Sequence, residues 1–186
     1  MQRRRFLKWG GLVVSASWLG LPSVRGASAI DAAAVETMRK HWQTLVAPST
    51  TLVTATPALT RSKDEWRKLL PPDSYAVLFE EDTERPASSA LNAEKSDGIF
   101  ACRACALPLF TSAMKYDSGT GWPSFITSIP DHLATKNDFK LLWPRTEYHC
   151  VKCGGHQGHM FDDGPAPTRQ RWCNNGVALS FVPTRA

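Results

Sequence analysis

The chain has 186 residues, 42% of them hydrophobic, with 22 Lys and Arg against 17 Asp and Glu and a formal net charge of +5. Five of the basic residues, Arg3, Arg4, Arg5, Lys8 and Arg25, precede Ile30, where no acid occurs, so the 157 residues from Ile30 onward balance 17 basic against 17 acidic groups. That balance removes the case for nucleic acid, which needs a basic face on the folded part, and leaves one domain long enough to bury a core without a large disulfide framework.

Residues 1–29 read as an export signal: a basic head Arg3-Arg4-Arg5-Phe6-Leu7-Lys8, an apolar run from Trp9 to about Leu21, and a small-residue cleavage site at Ala27-Ser28-Ala29. The paired arginines resemble the bacterial twin-arginine signal, which implies a translocase partner and a periplasmic location. Asp31 to Leu45 predicts a short helix with Val35, Met38, Trp42 and Leu45 on one stripe behind a capping aspartate. Residues 30–61 as a whole read as a helix and a Pro-containing linker (Ala47 to Leu59), and residues 62–186 as the working domain. Ser62-Lys63-Asp64-Glu65 is a capping box, with Trp66, Leu69 and Leu70 as its inward face and Pro71-Pro72 as its stop. A further short helix is predicted from Tyr75 to Phe79. Beyond Pro86 the composition shifts to short β-like runs: Gly98 to Cys102, Leu107 to Phe110, Phe125 to Ile129, Phe139 to Trp143 and Val177 to Val182.

Two turns punctuate this region, Cys102-Arg-Ala-Cys105 and Cys150-Val-Lys-Cys153. Paired two-residue spacings suit a tetrahedral zinc site of four thiolates with sulfurs about 2.3 Å from the metal. Structural disulfides and a redox-active CxxC are the alternatives in an oxidising compartment. Under the zinc reading Cys173 is the one cysteine left over. It sits in Gly154 to Gly176, GGHQGHMFDDGPAPTRQRWCNNG, downstream of His156, His159 and the turn Asp162-Asp163-Gly164, and beside Arg171. A thiol near cations ionises easily, and the thiolate is the nucleophilic form, so Arg171 or a protonated histidine is expected to lower its pKa from about 8.5. Plain packing of a lone cysteine is the bland alternative, and Trp122 in the loop Asp117 to Phe125 reads equally as core or as a substrate wall.

Taken as a set, SGTGWPSF at Ser118 to Phe125, GHQGHMFDDGP at Gly155 to Pro165, RWCNN at Arg171 to Asn175 and the two CxxC knuckles resemble the zinc-containing branch of the methionine-R-sulfoxide reductase B family, over about Ser62 to Pro183. The resemblance implies a mainly β fold of two antiparallel sheets with short N-terminal helices and a structural Zn2+ on Cys102, Cys105, Cys150 and Cys153, away from the active site. It implies that Cys173 attacks the sulfoxide sulfur and becomes a sulfenic acid, that His156 and His159, with Asp163 behind them, hold and protonate the sulfoxide oxygen, and that Arg171 keeps Cys173 ionised. Trp122 becomes the wall for the methyl group and Asn175 a hydrogen-bonding support. The partners it implies are oxidised proteins or free methionine sulfoxide and a thioredoxin-like or small-thiol reductant, with the enzyme a monomer.

Two positions depart from the common pattern. Gly176 stands where serine is usual, and Thr120 where many relatives place a second, resolving cysteine, so regeneration of Cys173 is expected from an external thiol. A zinc-ribbon binding module and a general thiol oxidoreductase are the rival functional classes; the first leaves Cys173 and the histidines unexplained, and titrating thiols in metallated protein tests the second.

Overall fold

The computed structural model describes residues 30–45, 56–139 and 144–184. The export signal, most of the linker and residues 140–143 of the Phe139 to Trp143 run lie outside these. Helix α1 (Ala32–Lys40) starts where Asp31 accepts a hydrogen bond from the Ala34 amide at 2.7 Å. A 3-10 turn, Trp42–Leu45, follows it. Trp42 is buried in the main core, with its ring 5.5 Å from that of His132. Farther along, the Leu59 amide donates to the Lys152 carbonyl inside the second cysteine knuckle. The segment before residue 62 is therefore packed onto the domain at Trp42 and Leu59.

Helix α2 (Lys63–Leu69) carries the capping box in full: the Ser62 hydroxyl accepts from the Glu65 amide and the Glu65 carboxylate accepts from the Ser62 amide. Trp66 is buried and Leu70 packs on the core, but Leu69 is 58% exposed, a correction to the predicted inward face. Pro71-Pro72 ends α2 and also begins α3 (Pro72–Glu80), because proline at the first helical position gives up only an amide that would be orphaned there anyway.

The β region forms two antiparallel sheets. Strands β1 (Gly98–Cys102), β2 (Pro108–Thr111) and β9 (Leu179–Pro183) make a three-stranded sheet in the order β2-β1-β9. The second sheet has six strands: β3 (Lys115–Tyr116), β4 (Ser124–Phe125), β5 (Leu133–Asp138), β6 (Arg145–Cys150), β7 (His156–Phe161) and β8 (Arg171–Asn174). Their order is β3-β4-β8-β7-β6-β5. An aromatic cluster joins the sheets. Phe110 of β2 stacks on Phe125 of β4 at 4.0 Å, Phe100 of β1 meets Phe125 edge-on, and Tyr148 and Trp172 close the far side. All but Trp172 are fully buried, and truncating one such ring to alanine costs about 3–5 kcal/mol.

Several predicted runs shift. The Phe125 to Ile129 run is strand only at its first residue. Gly176–Ala178 is a 3-10 turn ahead of β9. Phe139 lies past the end of β5 and is 72% exposed. Strands β5 to β8 fall outside the predicted runs, because they carry charged and polar residues on their working face. Among the described residues no helix is long and apolar enough to cross a membrane.

Candidate active site

Strand β8 lies between β4 and β7, with Cys173 directly opposite Ser124 on one side and His159 on the other. The close approach depends on Gly158, since a Cβ there would lie 1.9 Å from the Cys173 carbonyl oxygen. Two histidines three apart would point to opposite faces of a regular strand. Here they share a face, because β7 bulges: Tyr148 pairs with Gly158 while His149 pairs with His156, leaving Gln157 as an extra residue. That one residue reverses the alternation and turns His156 toward Glu147 and His159. The two imidazole centroids are 5.4 Å apart.

Each histidine is held by a carboxylate from another strand of the same sheet, Glu147 from the adjacent β6 and Asp138 from β5 one strand beyond. His156 Nδ1 is 2.8 Å from Glu147 Oε1, and His159 Nε2 is 2.8 Å from Asp138 Oδ2. Lys136 Nζ lies 2.9 Å from the other Glu147 oxygen, and Arg145 donates to Asp138 Oδ2 at 2.6 Å. The structure places Asp163 elsewhere: it accepts two bonds from Arg171, at 2.7 and 2.9 Å, and stands behind the guanidinium instead of the histidines. Arg171 is also stacked 4.2 Å over the Phe161 ring. The bidentate grip holds the Asp163 carboxyl below the usual range.

Electrostatics differ from expectation at the thiol. Burial pushes the Cys173 thiol above its ordinary value, and the Arg171 charge, with hydrogen bonding from Thr120 and Arg171, offsets this only in part. Arg171 thus opposes the effect of burial on Cys173 without outweighing it. Burial likewise lowers the His159 pKa, with the Asp138 hydrogen bond opposing it.

Trp122, Phe161, Thr83 and Asn175 wall a cavity of about 130 Å³ that opens on Cys173, His159 and Arg145. The Trp122 indole donates to the Glu84 carbonyl at 3.2 Å, the Glu84 amide donates to Asn175 Oδ1 at 3.1 Å, and the Glu84 carboxylate receives the Gly176 and Val177 amides at 2.6 and 2.9 Å. Burial raises that carboxyl while the two amides oppose the shift. Glu84 thus ties the Trp122 wall to the Asn175 corner, a link across 91 residues that no local motif reveals. At Gly176 a side chain would meet Ser89 Oγ at 2.2 Å, so the space of the missing serine is filled from another segment. The Thr120 hydroxyl is 2.8 Å from Ser118 Oγ, which is 2.7 Å from Ser124 Oγ.

The four knuckle cysteines converge, all their sulfurs lying within 4.8 Å of one another. The pairs Cys102–Cys153 and Cys105–Cys150 are 3.6 and 3.5 Å apart. A tetrahedral zinc with bonds of about 2.3 Å needs sulfurs about 3.8 Å apart, whereas a disulfide needs about 2.05 Å, so the set fits a metal ion. Hydrogen bonding from the other three sulfurs, then burial, push the Cys102 thiol well up, a strain that a divalent cation relieves by ionising the set. With all four ligands from protein, such an ion is structural and holds the β1–β2 turn to the β6–β7 turn.

Residues 70–183 match the SelR domain family model. The chain is 46% identical over 125 residues to the peptide methionine sulfoxide reductase MsrB of Methanosarcina barkeri, covering 67% of this chain and 88% of that one. It is 45% identical over 124 residues to the protein of that name from Pseudomonas putida GB-1, covering 66% and 95%. The chloroplastic peptide methionine sulfoxide reductase B1 of Arabidopsis thaliana is 43% identical over 121 residues, covering 64% and 60%. Because the domain match spans both sheets and all five cysteines, and two of these relatives are covered over most of their length, the chain belongs to the SelR-domain family, the methionine-R-sulfoxide reductases B.

Proposed function

We propose that this enzyme reduces methionine R-sulfoxide, free or within proteins, to methionine with Cys173 as nucleophile. The observation that carries the reading is the placement of Cys173 directly across from His159 at the mouth of a small aromatic-walled cavity. The sulfoxide methyl group lies against Trp122 with Phe161 opposite, and the oxygen faces the histidine side. A proton delivered to that oxygen by His159, with His156 beside it, makes the sulfur electrophilic; Asp138 and Glu147 fix the two rings. Because burial raises the thiol and lowers His159, the resting site holds thiol and neutral imidazole, and the net proton travels from Cys173 to the substrate oxygen as attack begins.

Cys173 Sγ takes the oxygen and leaves as Cys–S–OH, oxidised by two electrons, while the methionine sulfur is reduced by two. An external thiol then displaces water to give a mixed disulfide, and a second thiol releases Cys173 and a disulfide product. Thr120 in the loop beside Cys173 cannot supply that thiol, and the knuckle cysteines are committed to the metal in the zinc-containing branch. Those four ligands supply folding free energy and no step of the reaction. The paired arginines and apolar run of residues 3–21 support export by the twin-arginine pathway and work in the periplasm, with metal acquired before transport. A stereospecific assay decides the activity: pure R sulfoxide should be consumed and pure S sulfoxide left, and turnover of neither would refute it.

A further inference from the structure

Gln157 is 0% exposed, and the chemistry above gives it no part. It is the extra residue of the β7 bulge, so its side chain points away from His156 and His159 into the protein. There its Nε2 donates to Cys102 Sγ at 3.4 Å, the only side chain outside the cluster shown bonded to a knuckle sulfur among the described residues. Its Oε1 accepts from Asn174 Nδ2 at 3.4 Å, and the Asn174 oxygen is held in turn by the Tyr148 hydroxyl at 2.9 Å. Its main-chain carbonyl accepts both the amide and the side-chain Nδ2 of Asn175, at 2.8 and 3.0 Å. Asn174, Tyr148 and Asn175 are buried as well.

A bulge is a choice between two parities, and a strand that loses it returns His156 to the opposite face. Something must hold the extra residue out, and the bonds to Gln157 do so from two sides. Asn174, at the end of the strand that carries Cys173, and Asn175 just after it grip it from one side, and Cys102 grips it from the cysteine cluster. An amide N–H aimed at a thiolate is a charge-assisted bond, strong when the sulfur is a metal-bound anion and weak when it is a neutral thiol. We propose that Gln157 is a positioning residue that pins the β7 bulge to the four-cysteine cluster, so that the state of the cluster governs where His156 stands. Removing the metal, or oxidising its thiolates, then weakens the active site without touching any group that meets the substrate. The kinetic part of this inference rests on the reductase reading; the remainder does not.

The test compares wild type with Gln157→Leu, which keeps the bulk and loses every polar atom, and Gln157→Glu, which keeps an acceptor for Asn174 and loses the donor to Cys102. Four readouts are taken on folded protein, metallated except where zinc is stripped on purpose. In cobalt-loaded protein without substrate, the thiolate-to-metal charge-transfer band should move to longer wavelength in both variants, because Cys102 loses a donor. Zinc transfer to a chelator should speed up about tenfold. The ring N–H resonance of His156 should shift in Gln157→Leu, and in wild type it should shift when zinc is stripped under conditions where circular dichroism shows the fold retained. If wild type reduces R sulfoxide, kcat of zinc-loaded Gln157→Leu should fall about tenfold with KM within twofold. An unmoved cobalt band, a wild-type zinc-release rate, or a His156 resonance that ignores both substitution and metal removal overturns the proposal, even if the enzyme reduces sulfoxide normally. Should wild type lack reductase activity, the first three readouts still decide it.

Discussion

The acid–base state of Cys173 is the sharpest point on which burial and local charge disagree, and pH is the perturbation that separates them. The thiol is raised above its ordinary value of 9.0, first by burial, and His159 is lowered below its ordinary 6.5, again first by burial. Even at their ordinary values the two groups favour neutral thiol and imidazole over the ion pair, and both shifts widen that preference. At neutral pH burial therefore favours the thiol form of Cys173 in the free enzyme. With zinc protecting the other four thiols, the rate of Cys173 alkylation by iodoacetamide should therefore rise with pH and reach its midpoint above 9.0. Arg171→Met, which removes the charge opposing burial, should move that midpoint higher still. The matching kcat/KM profile is a bell whose acid limb lies below 6.5 and whose alkaline limb lies above 9.0, because the productive proton count is one shared between the two groups. A wild-type midpoint near neutrality would show that Arg171 wins over desolvation and would refute the reasoning.

Gly158→Ala should abolish most activity and lower Tm sharply, since the new methyl meets the Cys173 carbonyl at 1.9 Å and must part β7 from β8; melting and turnover within error of wild type would contradict the pairing. Cys105→Ser should lose the metal and much of the stability, measured by elemental analysis and thermal melting, because structural sites of this kind contribute folding energy outright. Stoichiometric R sulfoxide without reductant should yield about one methionine per enzyme, with a sulfenic-acid trap on Cys173; an internal disulfide to a knuckle cysteine, with zinc released, would argue against a one-cysteine cycle. His159→Ala should cost about a hundredfold or more in turnover while folding normally, and a loss of only a few-fold would remove it as proton donor.

Local spacing by itself determines a good part of this protein. The Ser62–Glu65 box, the Asp31 cap, the CxxC pairs and the all-apolar β1 are each specified within a few residues, by backbone geometry or by ligand reach. The same short range carries the motif set around Cys173 and so the family. Strands β5 to β8 are hidden from a sequence reading because the residues that make them useful, Asp138, Arg145, Glu147, His156 and Arg171, replace the apolar alternation by which a strand is recognised. Only the sheet order shows which acid serves which base. Asp163, near the histidines in sequence, turns to Arg171, and the histidines take Glu147 from the strand beside them and Asp138 from the one beyond it. The bulge at Gln157, which sets the face of His156, exists only as a mismatch between two paired strands. The acid–base state of the thiol is hidden for a related reason: its neighbours in sequence give the charge near Cys173, whereas desolvation depends on everything folded around it, and burial is the larger of the two opposing effects.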